Sequence, residues 1–182
     1  MEKTTGNKSI GASTLVKTAC FVALIVVCSW ISIPIGGVAI TLQTAAISLC
    51  GVCLGARRGV AAVGIYLLMG MIGIPVFAGF HAGVSTFFQP SGGYLISFLL
   101  IPLVTANVRR LRGRHNVLFA ILYSALAHLL CYAVATGYYA IVFSVPLSAA
   151  LSVCVLPFLI GDAVKTVAVA YVGVRLFTIH NH

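Results

Sequence analysis

The sequence predicts an all-α integral membrane protein, one domain of six transmembrane helices with both termini cytoplasmic. Two observations carry this reading. Of 182 residues, 61% are hydrophobic and only 7% charged, whereas soluble domains average about 25% charged residues. The second observation is where the cations fall. Most lysines and arginines lie in every other gap between hydrophobic runs: before Leu15, at Arg57 and Arg58, over 109–114, and after Val174. The gaps at 33–39, 75–93 and 137–146 hold no charged side chain. Short cationic loops stay in the cytoplasm, so the chain weaves across the bilayer with both ends inside.

Residues 1–12, with Glu2, Lys3 and Lys8, read as a polar cytoplasmic tail. The first span, 15–33, is stopped by Pro34, Gly36 and Gly37. It is long for a signal-peptide core and lacks a clear small-residue cleavage pattern, so it is kept as a mature span. The second, 42–55, falls short of the roughly 20 residues that a crossing needs, unless the loop before it dips into the membrane. The third covers 59–74 and ends at Pro75. Residues 76–93 follow, rich in glycine and phenylalanine yet uncharged. A loop of that length is usually functional or disordered, and its aromatic content argues against disorder.

The fourth span, 94–108, stops at the basic cluster of Arg109, Arg110, Arg112 and Arg114. The fifth covers 117–136. The stretch 138–177 is too long for one crossing, and Pro157 divides it. Proline suits the first turn of a helix, so 146–155 is expected as a short helix at the outer surface and 157–177 as the sixth span. Counting 146–155 as a full crossing would carry Arg175 outside, against the charge pattern.

The formal charge of +9 is dispersed between spans. It reads as a topology signal and an attraction to anionic membrane lipid, and nucleic acid is not expected as a partner. Six cysteines lie in apolar surroundings. Cys50 and Cys53 have CxxC spacing but neither a polar setting nor further ligands nearby, so they read as small hydrophobes. No metal or cofactor is expected. The absence of a G-x-x-x-x-G-K-[ST] phosphate loop means that this chain does not power transport with ATP by itself. Ser85 lacks a nucleophile-elbow setting, and no catalytic residue is assigned. No convincing internal repeat favours an inverted-repeat transporter.

Asp162 and Lys165 stand out, because each lies in an apolar stretch and the two are three residues apart. On a helix they share a face. Each costs about 2.5–3.5 kcal/mol at the centre of a membrane helix, so it must face the protein interior or a wet cavity. A mutual ion pair that only pins packing is one reading; a binding site near the outer end of the sixth span is the other. Thr41, Gln43 and Thr44, and Gln89 to Tyr94, add polar groups on the same outer side. His81 lies in the outer loop and His128 within the fifth span, where a lone histidine is more often a packing residue than a ligand. Ala19 and Ala23 have the small-xxx-small spacing that permits close helix approach.

Four stretches resemble the BioY family, the biotin-capturing subunits of energy-coupling factor (ECF) vitamin transporters. They are Ile35-Gly-Gly-Val-Ala-Ile-Thr-Leu-Gln43, Gly73-Ile-Pro-Val-Phe-Ala-Gly79, Pro90-Ser-Gly-Gly-Tyr94 and Leu156-Pro-Phe-Leu-Ile-Gly-Asp-Ala-Val-Lys165. The last is the most specific. The family pattern usually has proline where Ala39 stands and threonine where Ser91 stands. The resemblance implies a six-helix S component of the prokaryotic plasma membrane that binds biotin from outside, under a lid formed by the loop before the second span. It also implies docking through Ala19 and Ala23 to a transmembrane coupling subunit that carries two ATPases.

Biotin offers a ureido group with two N–H donors and a carbonyl, a thioether ring and a carboxylate. Asp162 is expected to accept a ureido N–H and Lys165 to donate to the ureido carbonyl. Tyr94 and Phe77 would cover the ring, and Gln43, Gln89 or His81 would meet the carboxylate; the reverse pose, with Lys165 on the carboxylate, stays open. A second copy of the chain is left open as a partner. The rival readings are an S component for another vitamin, a small intramembrane enzyme using Asp162 with His128, and a scaffold with a structural ion pair.

Overall fold

A computed structural model describes residues 12–35, 38–110 and 117–180. The expected tail at 1–12, apart from Ala12, lies outside them, as do Gly36, Gly37, Arg112 and Arg114. The described chain is helical almost throughout. Helix α1 (Ala12–Trp30) leads into a hairpin, β1 (Ser32–Ile35) and β2 (Val38–Thr41). Then come α2 (Gln43–Leu54), α3 (Ala56–Met71), α4 (Gly92–Ser97), α5 (Leu100–Thr105), α6 (Val117–Val142), α7 (Leu147–Cys154) and α8 (Leu159–His180).

The hairpin corrects the expectation of a plain loop at 33–39. Its strands pair antiparallel, Ser32 opposite Thr41 and Ile35 opposite Val38. Short β-branched runs flanking Gly36 and Gly37 are the local hairpin signal, and Pro34 is tolerated because a two-stranded ribbon consists only of edges.

The expected fourth span is broken into two short helices. Phe98 and Leu99 between them keep helical dihedrals. Pro102 lacks the N–H that would bond the Phe98 carbonyl, so the hydrogen-bond ladder lapses while the direction continues. The fifth helix runs on to Val142 rather than ending at Thr136, since Gly137 alone does not stop it. The short helix expected at 146–155 is α7, with Pro146 at its N-terminal cap. Pro157 sits in the turn before α8 rather than in its first helical turn.

Helix α2 is the centre of the bundle. It packs against α1, α3, α5 and α8, and is buried nearly all round. The approach to α5 is close: a Cβ added at Gly51 would lie 2.7 Å from Pro102 Cα. Helix α6 packs against α4, α5, α7 and α8, closing the other side. The core between them includes Ile25, Ile47, Tyr66, Phe77 and Ile101.

Polarity is inverted relative to a soluble protein. Leu118, Leu122, Leu126 and Leu129 are exposed along α6, and Ile160, Val164 and Val167 along α8, while Gln43, His128, Asp162 and Lys165 are buried. An apolar surface of this extent suits a lipid surround. Among the described residues, α1 and α6 are long and apolar enough to cross a membrane, and α7 with α8, bent by 50°, make a third candidate. Gln43–Leu54 and Gly92–Val108 are apolar but shorter.

The glycine-rich segment after α3 is pinned at both sides. Ser29 Oγ donates to the Val76 carbonyl at 2.5 Å and Trp30 Nε1 to that of Pro75 at 3.0 Å. Trp30 stacks on Phe80 at 5.1 Å between centroids. From α6, the Tyr138 hydroxyl donates to the Phe87 carbonyl at 2.5 Å.

Candidate functional site

A cavity of about 280 Å³ lies among the N-terminal ends of α2, α4 and α8, the face of α6, the hairpin and the 76–91 segment. That is close to the lower end of the ~300–1,000 Å³ common for small-molecule sites. Its walls gather residues far apart in sequence because three helices begin here.

At the deep end, Asp162 stands in the first turn of α8 and Lys165 one turn on. Lys165 Nζ meets Asp162 Oδ1 at 2.7 Å, and both residues are buried. The other carboxylate oxygen accepts the Tyr132 hydroxyl at 2.5 Å. Thr44 Oγ1 lies 3.5 Å from Oδ1, at the outer limit of a hydrogen bond. The carboxylate is thus held by an ammonium and a phenol, the kind of support that lets a buried charge persist. Asp162, Lys165, Tyr132 and Thr44 all border the cavity, so the pair is not sealed away from it.

The apolar middle is aromatic. Tyr94 and Phe158 lie ring against ring, 5.4 Å between centroids, and the Tyr94 hydroxyl donates to the Cys154 carbonyl. Phe77 sits edge-on to both Tyr66 and Phe87. Gln43, at the first turn of α2, is buried, and its amide nitrogen has no hydrogen-bond partner among the described residues.

The rim is polar and holds no acid, lysine or arginine among the residues that border the cavity there. His81 and Gln89 are exposed and border the cavity, as do the half-buried Ser32 and Ala39 of the hairpin. The His81 carbonyl accepts the Phe77 N–H at 3.1 Å, which ties the rim to the aromatic middle.

All seven residues singled out as a binding set, Asp162, Lys165, Tyr94, Gln43, Phe77, Gln89 and His81, border this one cavity. Ala19 and Ala23 do not; they are exposed on α1. Sequence reasoning missed Tyr132, Phe158 and Phe98 as lining residues. Phe158 lies within the quoted run that ends at Lys165, but nothing in one sequence shows which face of α6 turns inward. Cys131 also borders the cavity, with its sulfur 2.6 Å from Ser97 Oγ.

The BioY family model matches residues 2–181 of the chain. A protein of Thermotoga maritima named biotin transporter BioY is 40% identical over 165 residues, covering 89% of this chain and 94% of its own length. One of Lactococcus lactis subsp. cremoris named biotin transporter BioY2 is 34% identical over 161 residues, 88% of this chain and 87% of its own. Among solved structures, the S-component for biotin from an ECF-type ABC transporter is similar with a TM-score of 0.85 at 28% identity, covering 91% of each chain.

Proposed function

Because the chain belongs to the BioY family, we propose that it is the biotin-capturing S component of an ECF-type uptake transporter. It binds and delivers; it is not an enzyme. The observation that carries this reading is the buried Asp162–Lys165 pair bordering a cavity of small-molecule size. An ion pair needed only for packing has no reason to border one.

The fold works as six spans: α1, α2, α3, the α4–α5 pair, α6 and α8, with α7 at the outer surface. Helix α2 has 12 residues, about 18 Å of rise, so the hairpin ahead of it completes the crossing. Helix polarity supports the orientation. Gln43, Gly92 and Asp162 stand at or near the starts of their helices, whereas Arg57 follows the end of α2, Arg109 follows α5, and Arg175 lies late in α8. The cavity is therefore at the end opposite Arg57, Arg109 and Arg175, and with those loop cations inside the cavity opens outward. The whole chain is then one multi-pass domain of the prokaryotic plasma membrane, in contact with lipid.

In this pose Asp162 accepts a ureido N–H of biotin and Lys165 donates to the ureido carbonyl. Tyr94, Phe158 and Phe77 enclose the bicyclic ring. Gln43, Gln89 and His81 meet the tail, and the hairpin closes over it. Charged hydrogen bonds contribute about 1.5–3 kcal/mol each, so two of them with a buried ring can reach nanomolar affinity, about −12 kcal/mol. The exposed Ala19 and Ala23 let α1 approach the coupling subunit closely. ATP hydrolysis by the two attached ATPases then turns or releases the loaded subunit inward.

Equilibrium binding of radiolabelled biotin to the detergent-purified chain tests the proposal. Saturable binding that excess biotin abolishes, and other water-soluble vitamins leave intact, is expected. Displacement by another vitamin at lower concentration would reassign the cargo, and no saturable binding would leave a scaffold.

A further inference from the structure

His128 is the buried side chain at the deep end that the pose above leaves unused. It lies on α6 one turn before Tyr132 and is 4% exposed. The residue borders the cavity. Nδ1 and Thr166 Oγ1 are 3.1 Å apart, and His128 is the one partner of the Thr166 hydroxyl among the described residues. Two rungs therefore join α6 to α8, Tyr132 to Asp162 and His128 to Thr166, four residues apart on each helix. Lys165 falls between them in sequence. The far ring nitrogen, Nε2, is buried and has no partner among the described residues.

An imidazole that serves packing alone normally satisfies both nitrogens, because a buried polar atom without a partner costs about 1–3 kcal/mol. In the tautomer that carries the ring proton on Nε2, the Thr166 hydroxyl donates to Nδ1 and Nε2 is a donor. Lys165 Nζ is the other donor at this end of the cavity. A carbonyl oxygen has two lone pairs and can accept from both.

We propose that His128 is a recognition residue of the site, with Nε2–H donating to the ureido carbonyl oxygen beside Lys165 and Thr166 fixing the ring for that task. This rests on the biotin reading above. It assigns the deep end to the ureido group and makes the chain selective for a strong acceptor at that atom. A guest without such an oxygen would leave Nε2 unpaired.

The test compares biotin with its 2-thio analogue, in which sulfur, a weaker acceptor, replaces the ureido oxygen. Binding of both is measured on the full chain and on His128→Met and His128→Gln. Methionine fills the space without a donor; glutamine carries an amide N–H at similar reach. His128→Met should lose about five- to tenfold in biotin affinity but at most about twofold for the thio analogue. His128→Gln should keep biotin within about threefold of wild type. Equal losses for the two ligands, or equal behaviour of the two variants, would overturn the assignment. Absence of biotin binding by the unmodified chain would instead sink the capture reading, and this inference with it.

Discussion

The two ends of the cavity are built on opposite terms. The deep end holds an acid and an amine, both buried, cross-bonded between α6 and α8 through Tyr132 and Asp162. The rim holds His81, Gln89 and Ser32, polar and partly or fully exposed, on a hairpin and a glycine-rich segment. Desolvated charge on rigid helices gives strength and register, because each hydrogen bond there acts in a low dielectric and costs little ordering. Exposed polar groups on loops compete with water and must be ordered when the guest arrives. The deep end should therefore set affinity, and the rim should set entry and tolerance of the tail.

The largest effect that could break this contrast is at the ion pair. Asp162→Asn and Lys165→Met should each weaken biotin binding by at least about a hundredfold, because each removes a charged hydrogen bond and leaves its partner buried and unpaired. Unchanged affinity in both would move the site elsewhere.

A second test acts on the backbone under the rim. A Cβ at Gly92 would overlap the Phe87 carbonyl oxygen, which Tyr138 also uses. Gly92→Ala should destabilise the protein by about 1–3 kcal/mol, as overpacking does, and lower its melting temperature in detergent. Gly137→Ala is the control, since a Cβ there meets no heavy atom within 4 Å. Equal melting of the two variants would mean that the rim is not held as described.

Tyr132→Phe removes the phenol from Asp162 while keeping the ring. Biotin affinity should fall by up to about tenfold, and the melting temperature should fall as well, because the bond also joins α6 to α8. The smallest effect belongs to the rim. Gln89→Ala and His81→Ala should each cost about threefold or less by isothermal titration. A loss there as large as at Asp162 would reverse the comparison between the two ends.

Much of the candidate site was legible because lipid makes charge conspicuous. Asp162 and Lys165 identify themselves in an apolar run, and their three-residue spacing alone puts them on one face. Tyr94, Gln43 and Gln89 could be drawn in because the charge pattern assigned their segments to one side. Tyr132 had no such signal. An apolar helix surrounded by lipid on one side and protein on the other has weak amphipathicity, so α6 does not announce its inward face. The hairpin was missed for a related reason: its signal is four residues on each side of Gly36 and Gly37, and a breaker-rich gap between apolar runs reads equally as a loop.

The break between α4 and α5 was readable in principle from Pro102. That the segment would continue in the same direction was not, because continuation depends on α2 and α6 packing against it.

By itself the sequence determined a membrane-embedded helical chain, its alternation of cationic and neutral gaps, and an acid and an amine that had to face inward. Those follow from transfer free energies that act on each residue independently of its neighbours. Only the tertiary structure decided that three helix starts and one face of α6 enclose a common cavity, that Tyr132 grips Asp162, and that His128 comes to rest beside Thr166. Such contacts join residues 30 and 38 positions apart, and which of them meet depends on how whole helices rotate and cross, a property of packing that no single residue carries.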